Sequence, residues 1–286
     1  MTSYILLGIL VQAFIFTIML TVGLQVSLAE IKKVFRKRGV IWKTLILNLI
    51  LAPLVAFIFL EAFEIDGPVA TAILLLAVAP GAPFAPRIIE IGKGDLAFAS
   101  GAVLLLSAIA VISGPISAQL LTGQQAIGFS LPWRLILVLI FFQLFPLLLG
   151  LWLHEKKPNR AANLIRPFHL LSNLLIASLA VVATFAFGDQ FWQLTPKDWG
   201  IMLAVTFLWM ISGALHRGDG ALIRHTESLL MPARNIGLAL FLALQGFGDA
   251  TVIIPLLAQG AISLFVVSGI GWALGKQLEH PPSHLP

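Results

Sequence analysis

Nine apolar runs of membrane-spanning length, separated by gaps too short to hold a soluble domain, leave this 286-residue chain little choice but a bundle of transmembrane helices. They extend roughly from Tyr4 to Ser27, Val40 to Leu60, Val69 to Ile91, Leu96 to Leu121, Trp133 to Leu153, Ile165 to Phe187, Trp199 to Leu215, Ala221 to Gln245 and Thr251 to Leu274. A hydrophobic fraction of 59% against 11% charged residues is far from the composition of soluble globular domains. The expected fold is an all-α polytopic membrane protein of about nine helices, one transmembrane domain over residues 1–286. The first run lacks a cationic leader and a small-residue cleavage site, so it reads as a retained helix rather than a signal peptide.

The net charge of +5 matters less than its placement. Lys32, Lys33, Arg36, Lys37, Arg38 and Lys43 follow the first run, while Glu61, Glu64 and Asp66 follow the second. Lys93, Lys156, Lys157, Arg160, Arg166, Arg217, Arg224 and Lys276 fall on the same side as the first cluster, leaving Arg134 and Lys197 opposite. By the positive-inside rule the N-terminus lies outside and the C-terminus in the cytoplasm, in a bacterial inner membrane. Trp42, Trp133, Trp152, Trp192, Trp199 and Trp272 fall near predicted helix ends, where amphipathic rings prefer the headgroup level, and Trp209 alone lies inside a run. Cysteine is absent, which excludes disulfides and thiolate chemistry.

Two of the runs are interrupted. The third carries Ala79-Pro80-Gly81-Ala82-Pro83-Phe84-Ala85-Pro86-Arg87, whose three prolines cannot stay in one continuous helix. The eighth carries Leu229-Leu230-Met231-Pro232-Ala233-Arg234-Asn235-Ile236-Gly237, where Pro232 removes a backbone donor beside an arginine roughly 20 Å into the span at helical rise. A guanidinium at that depth is costly unless it faces protein or water. Each interrupted run ends in a similar tetrapeptide, Gly92-Lys93-Gly94-Asp95 and Gly246-Phe247-Gly248-Asp249, in which the glycines suit a helix C-terminus and the aspartate the N-cap of the next helix. The two units enter the bilayer from opposite sides, so the chain reads as inverted repeats over about 1–125 and 130–278, the first half one helix short.

These motifs resemble those of the bile acid:sodium symporter family. Ala79-Pro80-Gly81-Ala82 is similar to its Pro-Gly-Gly-rich break and Gly94-Asp95-Leu96-Ala97 to the turn that follows. Arg234-Asn235-Ile236-Gly237-Leu238-Ala239 is similar to its Gln-Asn-Ser-Gly-Leu-Ala motif, and Thr21-Val22-Gly23-Leu24-Gln25-Val26-Ser27-Leu28 to its early small-residue pattern. The resemblance implies a panel domain, a core domain and two helices crossing at their breaks. It also implies sodium ligands that this chain has lost: Ala85 and Pro86 stand where small polar residues would be, Leu230 where a glutamate would be, and Arg234 where a glutamine would be.

Arg234, Asn235, Arg87, Pro232 and Pro86 are therefore the candidate substrate-binding residues. Arg234 either holds an anion or replaces the coupling cation, or else it pins freed backbone carbonyls at the Pro232 break. Arg87 can pair with Glu90 one turn on. If the breaks cross, the two guanidiniums approach each other. Asn235 either caps the freed backbone or lines the cavity. Glu90 and Glu227 are candidates for proton coupling, although Glu227 reads more readily as an end carboxylate paired with Arg224 or His225. Polar residues within the runs, Gln25, Asn48, Gln143, Asn173 and Gln259 among them, either join helices or face the pathway. The histidines all fall at predicted ends or tails, and neither a histidine relay nor a metal site is visible.

The expected function is secondary transport of an organic anion by alternating access, independent of sodium. No catalytic constellation, Walker sequence or cofactor motif is present, and the expected partners are membrane lipid and a small organic anion rather than nucleic acid. A sodium symporter with unrecognised ligands, and a non-transporting sensor or channel on the same fold, remain as alternatives.

Overall fold

A computed structural model of the chain describes residues 2–36, 38–122, 133–247 and 251–279. Lys37, Gly248, Asp249, His280, His284 and the junction between the expected repeats lie outside the described residues. Every regular element among those described is helical: α1 (Thr2–Gln25), α2 (Leu28–Arg36), α3 (Arg38–Ile46), α4 (Ala52–Ala62), α5 (Gly67–Ala77), α6 (Ala85–Ile91), α7 (Leu96–Thr122) and α8 (Trp133–Leu139). These are followed by α9 (Phe145–Lys156), α10 (Pro158–Phe187), α11 (Asp189–Gln193), α12 (Pro196–Gly213), α13 (Ala221–Leu230), α14 (Ile236–Phe241) and α15 (Ile253–Glu279).

Among the described residues six helices are long and apolar enough to cross a membrane: Ile5–Gln25, Arg38–Ala62, Leu96–Leu121, Trp133–Lys156, Pro158–Phe187 and Ile253–Lys276. Two shorter apolar helices, Gly67–Ala77 and Ile236–Gln245, flank the two interrupted sequences. Apolar side chains such as Ile9, Ile58, Leu174 and Phe185 face outward, as a lipid-facing surface requires.

Two of the long helices contain a π-helical turn, and each turn precedes a proline. Leu47–Leu51 joins α3 to α4 ahead of Pro53, and Ile140–Leu144 joins α8 to α9 ahead of Pro146. In the first, the Ala52 amide donates to Leu47, five residues back. Proline has no amide proton, so Pro53 cannot serve Asn48 in turn. The Asn48 carbonyl thus loses both its four-residue and its five-residue donor, which matters at the site below.

The turn after α6 shows how local chemistry and packing divide the work. Asp95 accepts from the Phe98 amide at 2.9 Å, the expected N-cap. The helix ends with Gly94 N–H on Ile89 O and Lys93 N–H on Glu90 O, a Schellman arrangement. The left-handed residue of that motif is Lys93, with φ 57°, not a glycine. The glycines are needed for contact instead: a side chain on Gly92 would strike Leu229 and press on Gly271, and one on Gly94 would strike Ile89 and Thr226. The Asp95 amide donates to Thr226 Oγ1 at 2.8 Å, tying this turn to α13.

The helices form two layers. α1 packs along α9 and α10, with a small apolar cluster of Leu20, Leu24 and Ala161 between them. Gly23 and Gly150 face each other there, each so close that an added Cβ would overlap the other helix's backbone. The larger core surrounds both interruptions and takes in α1, α9 and α10 as well, through Leu7, Ile15, Leu147 and Leu179 among others.

Gly150→Ala should lower the melting temperature in detergent through overpacking, at a cost of about 1–3 kcal/mol. Gly200→Ala, on a helix with open space around that position, should leave it unchanged or raise it. Asp95→Ala should cost about 1 kcal/mol by the same measurement, the usual worth of an N-cap.

Candidate functional site

Between α5 and α6 the chain turns through Val78 to Phe84, with Gly81 at φ 82°. Ser107 of α7 holds this segment by donating its hydroxyl to Gly81 O at 2.9 Å. The Gln143 amide in turn donates to Ser107 O at 2.7 Å. A side chain at Gly81 would overlap Ser107, so both its backbone angle and its contact demand glycine.

The second interruption runs from Met231 to Asn235, between α13 and α14. The two meet directly: the Asn235 amide donates to Ala79 O at 2.8 Å. Asn235 also accepts from the Leu238 amide at 3.1 Å, capping α14. Its side-chain nitrogen is buried without a hydrogen-bond partner among the described residues. Asn235 therefore caps α14 and also lines the cavity described below.

Arg234 is 2% exposed. Its Nη1 donates to Asn48 O at 3.3 Å, the carbonyl freed by Pro53, and approaches Ala77 O, the last residue of α5, at 3.5 Å. The guanidinium lies 5.1 Å from the centre of the Trp209 ring, a cation–π contact. Trp209 is fully buried and anchored by its own Nε1 bond to Ala52 O at 3.0 Å. Nε and Nη2 of Arg234 find no hydrogen-bond partner among the described residues.

Glu227 is fully buried two turns before Arg234. Its Oε1 accepts from Thr44 Oγ1, and its Oε2 accepts from Asn48 Nδ2 at 3.3 Å. His216 Nδ1 lies 3.7 Å from Oε1. These partners replace the pairing with Arg224 or His225 that sequence proximity offers; His225 Nε2 instead sits 2.7 Å from Gly92 O. Asn48 bridges the two charged residues, its carbonyl on Arg234 and its amide on Glu227.

A cavity of about 680 Å³ opens between the two layers. Phe14, Ile18, Thr21 and Gln25 of α1 and His169 and Asn173 of α10 form one side. Pro83, Phe84, Pro86, Arg87 and Glu90 from the first interruption and α6, with Asn235 and Gly237 from the second, form the other. Arg87 is exposed and paired with Glu90. The structure thus gathers Pro86, Arg87, Glu90 and Asn235 on one cavity, but leaves Pro232, Arg234 and Glu227 out of its lining. The expected meeting of two guanidiniums is not found, because Arg234 is engaged with Asn48, Ala77 and Trp209 while Arg87 stands on the cavity wall.

Sequence reasoning passed over three participants. Asn48 was one polar residue among several; Pro53 alone points to the Leu49 carbonyl four residues back, and only the π-turn shifts the free carbonyl to Asn48. Trp209 had a signal, being the tryptophan inside a run. His216 had none, since its position at a helix end conceals a residue 1% exposed.

Residues 12–193, more than half of the chain, match the Sodium Bile acid symporter family. That stretch includes the first interruption and most of the cavity wall, and it ends before the second interruption. No curated protein matches the chain. The helices of spanning length, the interrupted segment over 78–84 and this match make one conclusion: the chain belongs to the sodium/bile acid symporter family of membrane transporters.

Proposed function

We propose that the protein is a secondary transporter that moves an amphipathic organic anion by alternating access and needs no sodium, Arg234 standing in for the coupling cation. The observation that carries this reading is the buried guanidinium at the crossing, with Nη1 directed at the Asn48 and Ala77 carbonyls. Carbonyl oxygens of this kind are what a sodium ion would use, and a fixed positive charge among them repels a second cation strongly at low dielectric. A sodium ion can leave and carry its gradient energy with it. A guanidinium attached to the chain cannot.

The cavity supports the substrate class. Its walls combine aromatic and aliphatic side chains with two donors, Arg87 and the Asn235 side-chain nitrogen, the latter without a partner among the described residues. Such a lining suits a molecule with an apolar body and a carboxylate. The three-helix layer and the layer holding the crossing are the two bodies whose rocking would open this cavity to either side. The nine apolar runs and the paired breaks support nine spans in two inverted repeats, with the N-terminus outside an inner membrane. Transport then proceeds by facilitated diffusion, anion exchange or proton coupling, with Glu90 and Glu227 as the acidic groups for the last.

Cholate uptake into proteoliposomes should be equal with sodium or choline as the sole cation. A steep dependence on sodium would overturn the sodium-independent reading and leave the family assignment standing. Cholate at about 100 times its dissociation constant should stabilise the purified protein by roughly 2.7 kcal/mol in either cation. Arg87→Gln should need at least about tenfold more cholate for the same stabilisation, the worth of one charged hydrogen bond. Arg234→Gln should instead lower the melting temperature without any ligand, by an amount near the roughly 3–5 kcal/mol lost when a buried charge is left unpaired.

A further inference from the structure

We propose that His216 and Glu227 form one proton-binding site, entered past Asp219 and Lys43, whose occupancy sets the charge at the crossing. The geometry is a connected series. Lys43 Nζ bonds Asp219 Oδ2 and, at 2.9 Å, Arg217 O. His216 Nε2 lies 3.0 Å from the same Asp219 oxygen, and His216 Nδ1 faces Glu227 Oε1. Burial rises along the series: the side chains of Lys43 and Asp219 are 44% and 19% exposed, those of His216 and Glu227 0%. A solvent-accessible carboxylate thus connects to a buried one through a single imidazole.

The groups facing the site come from every element packed on it. Thr44 and Asn48 approach from the helix Arg38–Ala62, His216 and Asp219 from the turn after α12, and Arg234 acts on Glu227 from the second interruption. His216 Nδ1 has no hydrogen-bond partner among the described residues and faces Glu227. The 3.7 Å gap is slightly beyond a hydrogen bond and closes with a small turn of the ring. Asp219 is held below the usual carboxylate range by its hydrogen bond from Lys43, opposed by burial and helped by His216, and so stays ionised as the relay works.

The transfer conserves protons. The Nε2–H tautomer satisfies Asp219 but has no room for a proton there, so loading starts from the Nδ1–H tautomer of neutral His216: one proton arriving past Asp219 adds to Nε2 and forms imidazolium, with Asp219 accepting from Nε2–H. The Nδ1 proton passes to Oε1, leaving a neutral carboxylic acid on Glu227 and a neutral imidazole whose Nε2–H bonds Asp219. Release is the reverse. With Glu227 ionised, the series from Lys43 to Arg234 is electroneutral. With Glu227 protonated, the charge of Arg234 is uncompensated beside Asn235, on the cavity wall. Proton loading therefore favours an anion in the cavity, and by linkage the anion favours the proton. This coupling rests on the anion-transport reading; the proton site does not.

The test is infrared spectroscopy of the purified full-length protein as pH is lowered. A carboxylic-acid carbonyl band should appear in wild type and be missing in Glu227→Gln, whose amide keeps the contacts with Thr44 and Asn48. In His216→Gln the band should shift its midpoint, and in Asp219→Asn it should appear more slowly after a pH jump. A band absent from wild type, or unchanged in Glu227→Gln, would overturn the proposal. Should Glu227→Gln not fold, a midpoint and rate unaffected by His216→Gln would overturn it equally. Cholate should raise the midpoint by about 1 pH unit, a tenfold coupling. A band that titrates but ignores cholate would overturn the coupling and count against anion transport, while leaving the proton site in place.

Discussion

Two interrupted helices can cross inside a membrane only if the backbone groups they release find partners without water. Each unsatisfied carbonyl or amide in such a medium costs several kcal/mol. Here the bond from the Asn235 amide to Ala79 O joins the two interruptions, and Arg234 reaches Asn48 O and Ala77 O on two further segments. A guanidinium suits this work because its donors lie in a planar fork and its face can stack on Trp209. An ammonium could make neither contact in the same way.

That arrangement clarifies the part played by the buried arginine. Its contacts are those of a pin, since they secure backbone from α5 and from the π-turn before Pro53. Its charge is nevertheless placed next to Asn235, which belongs to the cavity. Position and charge are thus separable: the contacts hold backbone, and the charge lies one residue from the cavity lining. Glu227 answers that charge through Asn48, which is hydrogen-bonded to both.

Much of the architecture was legible in the chain because its causes are local. Hydropathy marks the helices, proline marks both interruptions, and Asp95 marks the start of α7 by capping it. Even the π-turn has a local cause in Pro53. The glycines of the turn after α6 were legible as glycines but not in purpose. They suggested a left-handed cap, a role taken by Lys93, because the demand for a missing side chain came from Leu229, Gly271 and Thr226 in distant parts of the chain. Glu227 was misread for a similar reason: its neighbours in sequence offered charges, and its neighbours in space were better placed to solvate it.

The sequence by itself determined that this is a helical membrane protein with two interrupted segments, and it was enough to carry the family. Those features follow from side-chain hydrophobicity and from the missing amide of proline, which act within a turn or two of helix. Only the tertiary structure decided which buried polar groups meet. Arg234 and Asn48 are 186 residues apart, and Thr44 and Glu227 are 183 apart. The burial of Arg234, the enclosure of His216 and the separation of Arg87 from the crossing depend on how whole helices pack. Charges excluded from water must find partners wherever packing brings them, and no local pattern encodes that choice.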